Sequence, residues 1–199
     1  MNIEITLPDK SIRTYDQPIT GSDIANDIGP KLGKDAIGIE INKELFDTSY
    51  QIKENVSIKI LTKNDIQSLS VLRHSTAHLL AQAVLNLYPG TLYGVGPDIE
   101  DGFYYDFLFK DNISEIDLPK IEVEMLRLVK EKQPFVKSIS SKSEAMAIFD
   151  KQKFKKELIE SADSNEGVDE SNVSLYSNNK FTDLCKGPHV PNTSYIKHF

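Results

Sequence analysis

Short segments in which apolar and polar residues alternate dominate the start of the chain. IEITL, IRTY, AIGIEIN and VSIKILT have the two-residue period of half-buried strands, and the turn PDKS indicates a hairpin between the first two. GSDIANDIG has helical spacing, with Ser22 or Asp23 as a candidate N-cap and Gly29 at its end. The pattern predicts a small sheet with one helix across it. No reactive side chains cluster in this part, so its simplest interpretation is an interaction module.

The polar segment 63–69 is interpreted as a linker, after which longer elements follow. Residues 70–88, SVLRHSTAHLLAQAVLNLY, have the period of a helix that ends before Pro89. DGFYYDFLF alternates like a single strand, with Phe103, Tyr105, Phe107 and Phe109 on one side. LPKIEVEMLRLVKEK has the pattern of an amphipathic helix.

The last third of the chain is predicted to contain a strand, a helix, a loop and a hairpin. PFVKSIS reads as a strand, and Ser141 and Glu144 have the spacing of a capping box for the helix that follows. The acidic segment 160–172 predicts a solvated loop without a functional role. VSLY and KFTDL predict a hairpin whose second strand ends at Cys185. The expected fold class is therefore α+β, with one domain at residues 1–62 and a larger one at 70–199.

Composition narrows the class of protein. The 199 residues are 39% hydrophobic and 27% charged, as in a folded globular chain, and no apolar run approaches the length of a membrane span. No secretory signal is visible and there is a single cysteine, which together predict a cytoplasmic protein without disulfides. The net charge of −7 argues against a protein that grips long stretches of nucleic-acid backbone. Any contact with nucleic acid is expected to be local.

Two histidines on one helix are the first chemical signal. His74 and His78 in RHSTAH are four residues apart, on the same side as Val71, Ala81 and Leu85. The polar strip of Ser75, Gln82 and Asn86 is the predicted solvent face. The imidazoles would then be either core residues or ligands facing a pocket. The metalloprotease pattern is excluded because the residue after His74 is serine.

DLCKGPH is the second signal. It holds the only cysteine, Cys185, and another histidine, His189, with Gly187 and Pro188 turning the chain between them. With the histidine pair, it supplies four nitrogen and sulfur donors. These can close around zinc or form a polar catalytic cluster without metal.

At these residues the chain resembles a known family. RHSTAHLLAQAV, GVGPDIEDGFYYDF and FTDLCKGPHVPN are similar to the editing domain of bacterial-type threonyl-tRNA synthetases, and the amino-terminal module resembles the ubiquitin-like TGS domain that precedes it. The histidine and cysteine pairs also occur in the editing domain of alanyl-tRNA synthetases. The resemblance implies a β-grasp TGS domain followed by an α+β editing domain with an antiparallel sheet and flanking helices. The class II ligase and anticodon-binding domains, with ATP, magnesium and the ligase zinc, would follow Phe199.

The family also implies roles for residues. His74, His78, Cys185 and His189 would form the editing site, and Lys155 and Asp183 occupy the positions of a functional lysine and aspartate. Lys153 and Lys156 are close neighbours, so a slip in the alignment would change the choice of lysine. A solvated basic face is the alternative for Lys155, and a turn residue at the end of a strand is the alternative for Asp183. As a hypothesis, the histidines activate water, Cys185 and His189 shape the serine pocket, Lys155 stabilises the oxyanion, and Asp183 binds the ammonium. Tyr104 or Tyr105 would stack on the CCA end, and Lys156 would contact phosphate.

The expected activity is hydrolysis of seryl-tRNA(Thr) with threonyl-tRNA(Thr) spared, in a chain that does not itself make aminoacyl-tRNA. The implied partner is the 3′ CCA end of tRNA(Thr) carrying serine, with no membrane contact and no required cofactor. A monomer is expected, since the family dimerises through its ligase half. Three alternatives stay open: a structural zinc module, a non-catalytic module that binds RNA or protein, and a hydrolase with Cys185 as nucleophile.

Overall fold

The structure is a computed structural model that describes residues 2–199, so Met1, the first residue of the predicted 1–62 domain, lies outside the described residues. The chain divides into two compact units. One extends to Leu72 and includes Pro188–Pro191, and the other comprises Arg73–Gly187 and Asn192–Phe199. Both units combine helices with strands, which confirms the α+β class.

The first unit contains short strands and two helices. In chain order these are β1 (Ile3–Thr6), β2 (Ile12–Tyr15), β3 (Ile19–Thr20), α1 (Gly21–Ile28), α2 (Pro30–Asp35), β4 (Ala36–Ile41), β5 (Glu44–Phe46), β6 (Gln51–Ile52) and β7 (Val56–Thr62). The main sheet has the order β2-β1-β7-β4-β5, with β1 and β7 parallel and the other neighbours antiparallel. Isoleucines such as Ile5, Ile24 and Ile39 form its core. The predicted hairpin and the two later strands are confirmed.

The predicted cap of α1 is wrong. Thr20 is the N-cap, and its hydroxyl accepts a hydrogen bond from Asp23 N. The Asp23 carboxylate accepts in return from the Thr20 backbone, which completes a capping box. Neither Ser22 nor Asp23 precedes the helix, because both lie within its first turn. Helix α2, which begins at Pro30, was also missed by the sequence pattern.

The second unit contains a long helix and several shorter elements. Its elements are α3 (Ser68–Leu87, which begins in the first unit), β8 (Leu92–Tyr93), β9 (Asp98–Ile99), β10 (Gly102–Phe103), β11 (Phe107–Leu108), α4 (Leu118–Glu131), β12 (Val136–Ser141), α5 (Lys142–Ile148), α6 (Lys153–Ser161), β13 (Asn172–Asn178) and β14 (Phe181–Leu184). β12, β13 and β14 form an antiparallel sheet. The hairpin between β13 and β14 turns at Asn179, whose φ of 56° asparagine tolerates well. The core includes Ala77, Tyr93, Phe149 and Leu184.

Two predicted features of this unit hold. The capping box of Ser141 and Glu144 starts α5, and β14 ends immediately before Cys185. DGFYYDFLF, however, is not one strand. Its ends form β10, which pairs with β9, and β11, which pairs with β8, while residues 104–106 follow the backbone of 94–97 through single hydrogen bonds. The alternation still holds there, since Tyr105 is buried and Tyr104 is exposed.

The predicted solvent face of α3 is wrong. Ser75 and Gln82 are buried, and only Asn86 of that strip is exposed. The Gln82 amide donates to Gln133 Oε1 at 2.8 Å and to the carbonyl of Asn178 at 3.2 Å. A polar strip can therefore be covered when partners for its hydrogen bonds come from distant elements.

The acidic segment 160–172 is more ordered than predicted. α6 extends to Ser161, and residues Ser164–Glu166 form a short 3-10 helix. Val168 is 1% exposed and belongs to the core of the second unit. Within residues 2–199, no helix is both long enough and apolar enough to cross a membrane.

Candidate active site

Helix α3 brings the two histidines to one place in the second unit. They lie one turn apart, with ring centroids separated by 5.1 Å and the rings almost perpendicular. His78 is buried at 2% exposure, whereas His74 is partly exposed. His78 also packs edge-on against the rings of Tyr105 and Phe181. The helix thus presents one enclosed imidazole and one accessible imidazole.

Cys185 reaches the histidines from the end of β14. Its Sγ lies 3.2 Å from Nε2 of His74 and accepts a hydrogen bond from the Gly187 backbone at the same distance. Gly187 has a φ of 77°, and a Cβ there would lie 2.1 Å from the hydroxyl oxygen of Tyr176. Glycine is therefore required at this turn for two reasons, backbone conformation and close packing. The turn fixes the position of the thiol.

Three of the four predicted donors come together in the second unit, since Sγ of Cys185 lies 3.2 Å from Nε2 of His74 and the His78 ring is 5.1 Å from the His74 ring. The fourth, His189, belongs to the segment Pro188–Pro191 of the first unit. Imidazole nitrogens and a thiolate are donors that suit zinc. The backbone N–H of His189 is itself held by Asp47, through a hydrogen bond of 2.8 Å.

A buried ion pair lies beside the histidines. Lys155 on α6 is fully buried, and its ammonium contacts Oδ1 of Asp183 on β14. Oδ2 of Asp183 accepts a hydrogen bond from the Tyr105 hydroxyl and lies 3.7 Å from Nε2 of His78. The Lys155 ammonium is also 3.3 Å from the Tyr105 hydroxyl and 4.9 Å from the centre of the Tyr93 ring. Neither a solvated lysine nor a simple turn aspartate describes this arrangement.

Burial sets the protonation states of these groups. It lowers the pKa of His74 to about 4, against a smaller opposing effect of Asp98, and it lowers the pKa of His78 well below its usual value. It raises the pKa of the Cys185 thiol well above the ordinary range. Burial also raises the pKa of Asp183, and the Lys155 ammonium opposes that rise. At neutral pH the site therefore offers neutral imidazoles that can accept protons, and a protonated thiol that is a poor nucleophile.

These groups open onto a cavity of about 200 Å³. All of its lining residues belong to the second unit: His74, His78, Gly96, Pro97, Asp98, Asn165, Glu166, Asp183, Leu184, Cys185, Lys186 and Gly187. The lining thus combines imidazoles, carboxylates, a thiol and backbone groups. Lys155 does not line the cavity, so its ammonium acts on the contents through Asp183 rather than by direct contact.

The other candidate residues, two tyrosines and two lysines, differ in their exposure and in their contacts. Tyr104 is 45% exposed and is available for stacking, whereas Tyr105 is 8% exposed and is engaged with Asp183. Lys153 is exposed and Lys156 is half-buried, and neither lines the cavity. Of the neighbouring lysines, Lys155 is the one whose ammonium reaches Asp183.

Comparison with known proteins agrees with this picture. Residues 3–62 match the TGS domain family, and residues 173–199 match the threonyl and alanyl tRNA synthetase second additional domain. The chain is 45% identical over 199 residues to the threonine–tRNA ligase of Paraburkholderia xenovorans, covering 99% of this chain and 31% of that protein. The chain is a relative of the threonine–tRNA ligases. The ligases of Nitrosococcus oceani and Desulfatibacillum aliphaticivorans are 44% and 43% identical over 98% of this chain.

The chain spans about a third of the length of these ligases, since it covers 30–31% of each. The matched segment 173–199 contains Asp183, Cys185 and His189, whereas helix α3 lies outside both family matches. The similarity to the ligases extends over α3 as well, because it covers nearly the whole chain. The resemblance predicted from the sequence motifs is confirmed.

Motif comparison with the threonine–tRNA ligases missed part of the cavity. Asp98, Asn165 and Glu166 line it, yet none was predicted as a site residue. Asn165 and Glu166 lie in the acidic segment that was predicted to have no role. No local signal in the sequence distinguishes these three residues from solvated ones, because their contact with the cavity arises only in the folded chain.

Proposed function

We propose that the cavity of the second unit is an editing site that hydrolyses the ester of seryl-tRNA(Thr) and spares threonyl-tRNA(Thr). The observation that carries this proposal is the pair of neutral imidazoles facing a small cavity, next to a buried Lys155–Asp183 pair. Similarity to threonine–tRNA ligases over nearly the whole chain supports the choice of substrate. The chain would be the editing part of a ligase that attaches threonine to tRNA(Thr) with ATP.

The chemistry of the two amino acids explains why such a site is useful. Threonine exceeds serine by one methyl group, which is worth only about 1–3 kcal/mol of discrimination in a binding pocket. A second site that is too small for threonyl esters completes the selection, as in a double sieve. A cavity of about 200 Å³ is compact enough for this role.

Hydrolysis requires a water molecule that loses a proton as it attacks the ester carbonyl. His74 is partly exposed and neutral, so it is the best-placed side chain to accept that proton, directly or through a ribose hydroxyl of the terminal adenosine. His78 is buried, so we assign it a positioning role and not the transfer of the proton. Cys185, held as a thiol beside His74, shapes the pocket without forming a covalent bond.

The tRNA end would be held mainly by stacking. Tyr104 is exposed and offers a face to a base of the CCA end. Lys186 lies at the cavity and is exposed, which suits contact with a phosphate, a role predicted from the sequence for Lys156. Since the chain has a net charge of −7, we expect weak binding that falls further as salt is raised.

The test is deacylation of seryl-tRNA(Thr) and threonyl-tRNA(Thr) by this chain and by its His74→Ala variant. Asn86→Ala is a matched control, because Asn86 is exposed on the same helix and its side-chain amide donates to Glu124, away from the cavity lining. We expect the wild type and the control to hydrolyse the seryl ester selectively, and His74→Ala to lose at least about 100-fold in rate, the usual contribution of general-base catalysis. Equal rates for the wild type and His74→Ala would contradict the proposal.

A structural zinc site is the second candidate, and the proximity of His74, His78 and Cys185 is the observation that favours it. With His189 as the fourth donor, three nitrogens and one sulfur would close a tetrahedral ion and leave no open position for water. In that case zinc would be present in equal amounts with protein, and a chelator would unfold the second unit. Selective deacylation that is unchanged by chelator would exclude this candidate.

A further inference from the structure

The segment that carries Glu166 is held in place by its own backbone. Asp163 caps the short helix Ser164–Glu166, accepting a hydrogen bond from Asn165 N at 3.0 Å. The backbone carbonyl of Asp163 also accepts from Val168 N at 3.1 Å, and Val168 is buried. Glu166 is thus fixed between a capped turn and a core residue, rather than carried on a solvated loop.

Gly167 attaches this segment to the strands that carry Cys185. It has a φ of 79°, and a Cβ there would lie 2.9 Å from Cβ of Ser174 and 3.1 Å from the backbone nitrogen of Lys186. Its carbonyl accepts from Ser174 N at 2.8 Å, and the carbonyl of Ser174 accepts from Cys185 N at 3.1 Å. Two consecutive backbone hydrogen bonds therefore connect the residue after Glu166 to the thiol-bearing residue.

Two carboxylates of the cavity, Asp183 and Glu166, differ in whether they have a partner. Asp183 is already paired with Lys155 and Tyr105. Glu166 lines the same cavity, and its carboxylate forms no hydrogen bond or ion pair with any residue of 2–199. Partial burial raises the pKa of Glu166, with Lys155 opposing and Asp183 adding to the rise. A carboxylate that is partly desolvated and has no cation is stabilised when a ligand brings one.

We propose that Glu166 binds the α-ammonium group of the aminoacyl ester and thereby positions the ester carbonyl in the cavity. This inference rests on the proposed function and assigns to Glu166 the role that the family resemblance suggests for Asp183. Asp183, neutralised by Lys155, instead orients Tyr105 and His78. Asp98 is the third carboxylate of the lining, and its negative charge raises the pKa of His74. We therefore assign Asp98 to His74 and not to the ammonium.

The direct test is binding of a stable substrate analogue that keeps or lacks the amino group. The probes are the seryl amide of 3′-amino-3′-deoxyadenosine and the matching 3-hydroxypropanoyl amide, measured by calorimetry with the full chain. The variants are Glu166→Gln and Asp98→Asn, with Glu170→Gln as a control. Glu170 belongs to the same acidic segment but is exposed and does not line the cavity.

We expect the wild type and Glu170→Gln to bind the seryl amide about 10-fold to 100-fold more tightly than the 3-hydroxypropanoyl amide, as for a charge-assisted hydrogen bond. Glu166→Gln should bind both probes equally and keep its affinity for the 3-hydroxypropanoyl amide. A merely structural Glu166 would weaken both probes alike, which would overturn the assignment. A preference that persists in Glu166→Gln, or that disappears in Asp98→Asn instead, would overturn it too, as would a wild type that binds neither probe.

Deacylation measured in parallel separates this inference from the proposed function. A wild type that hydrolyses seryl-tRNA but shows no preference for the amino group refutes the role of Glu166 alone. A preference that depends on Glu166, without hydrolysis of seryl-tRNA, supports the ammonium site and contradicts the editing activity. Circular dichroism of each variant checks that the Glu-to-Gln change leaves the fold intact.

Discussion

The buried pair of Lys155 and Asp183 gives the sharpest prediction about stability. Replacing Asp183 by Asn keeps the shape of the side chain but removes the one carboxylate among residues 2–199 that contacts the Lys155 ammonium. The ammonium, fully buried, would retain the Tyr105 hydroxyl at 3.3 Å and the faces of the Tyr93 and Tyr105 rings at 4.9 and 5.7 Å. Breaking a buried pair in this way costs about 3–5 kcal/mol of unfolding free energy.

Lys155→Met should cost less, and its cost should depend on pH. Burial raises the pKa of Asp183, and without Lys155 that pKa rises further, so the carboxyl can take up a proton instead of staying charged. The loss should therefore be smaller at acidic than at alkaline pH. In the double variant no charge is stranded, so its loss should fall below the sum of the single losses by about 2 kcal/mol or more.

Urea unfolding followed by circular dichroism measures these free energies. Lys120→Met is the control, because Lys120 forms an exposed ion pair of 3.0 Å with Asp117, and we expect no measurable loss from it. Losses that add up in the double variant would refute the reasoning. So would an Asp183→Asn variant that is as stable as the wild type.

Three further outcomes follow from other contacts. The unfolded chain protonates His74 below about pH 6.5, whereas burial lowers the folded pKa to about 4, so His74 should contribute a loss of up to about 3 kcal/mol as pH drops through that window. His74→Gln should make the urea-unfolding profile less steep there, and the lowered pKa of His78 should maintain part of the slope. Gln82→Leu should cost about 1–3 kcal/mol in urea unfolding, because it strands the buried Asn178 amide, while deacylation per folded molecule stays unchanged. Gly187→Ala should lower the melting temperature and the deacylation rate together, since its Cβ would collide with the buried Tyr176 hydroxyl at a backbone angle that costs about 1–3 kcal/mol.

Local patterns in the sequence predicted the elements that local interactions decide. The capping box of Ser141 and Glu144 and the hairpin that ends at Cys185 depend on residues a few positions apart, and both were predicted correctly. The approach of His74 to Cys185 joins distant segments, and the spacing of each pair only suggested it. The resemblance to a family, rather than periodicity, drew attention to Lys155 and Asp183.

The errors share a physical cause. Helical spacing shows which residues lie on one face of α3, but not which faces other elements cover, so the burial of Gln82 was missed. Lysine is rarely fully buried, and Lys155 on helix α6 is an exception because its partner Asp183 comes from strand β14. Acidic composition is typical of solvated loops, and Glu166 reaches the cavity only because Gly167 packs against the strands. Each of these facts is a tertiary contact that no short window of sequence contains.

The two candidate functions differ in what they require of the buried thiol of Cys185. Water activation needs a neutral imidazole and makes no demand on Cys185, which burial keeps protonated. Zinc needs the thiolate, so the ion would have to overcome that burial and displace the thiol proton. Zinc binding should therefore release about one proton for each ion bound, from the Cys185 thiol, because the imidazoles of His74 and His78 are already neutral. The affinity for zinc should fall as pH is lowered. An editing site built on His74 has no such linkage to the thiol. Proton release on zinc titration thus separates a quartet of ligands from a pair of histidines that acts on water.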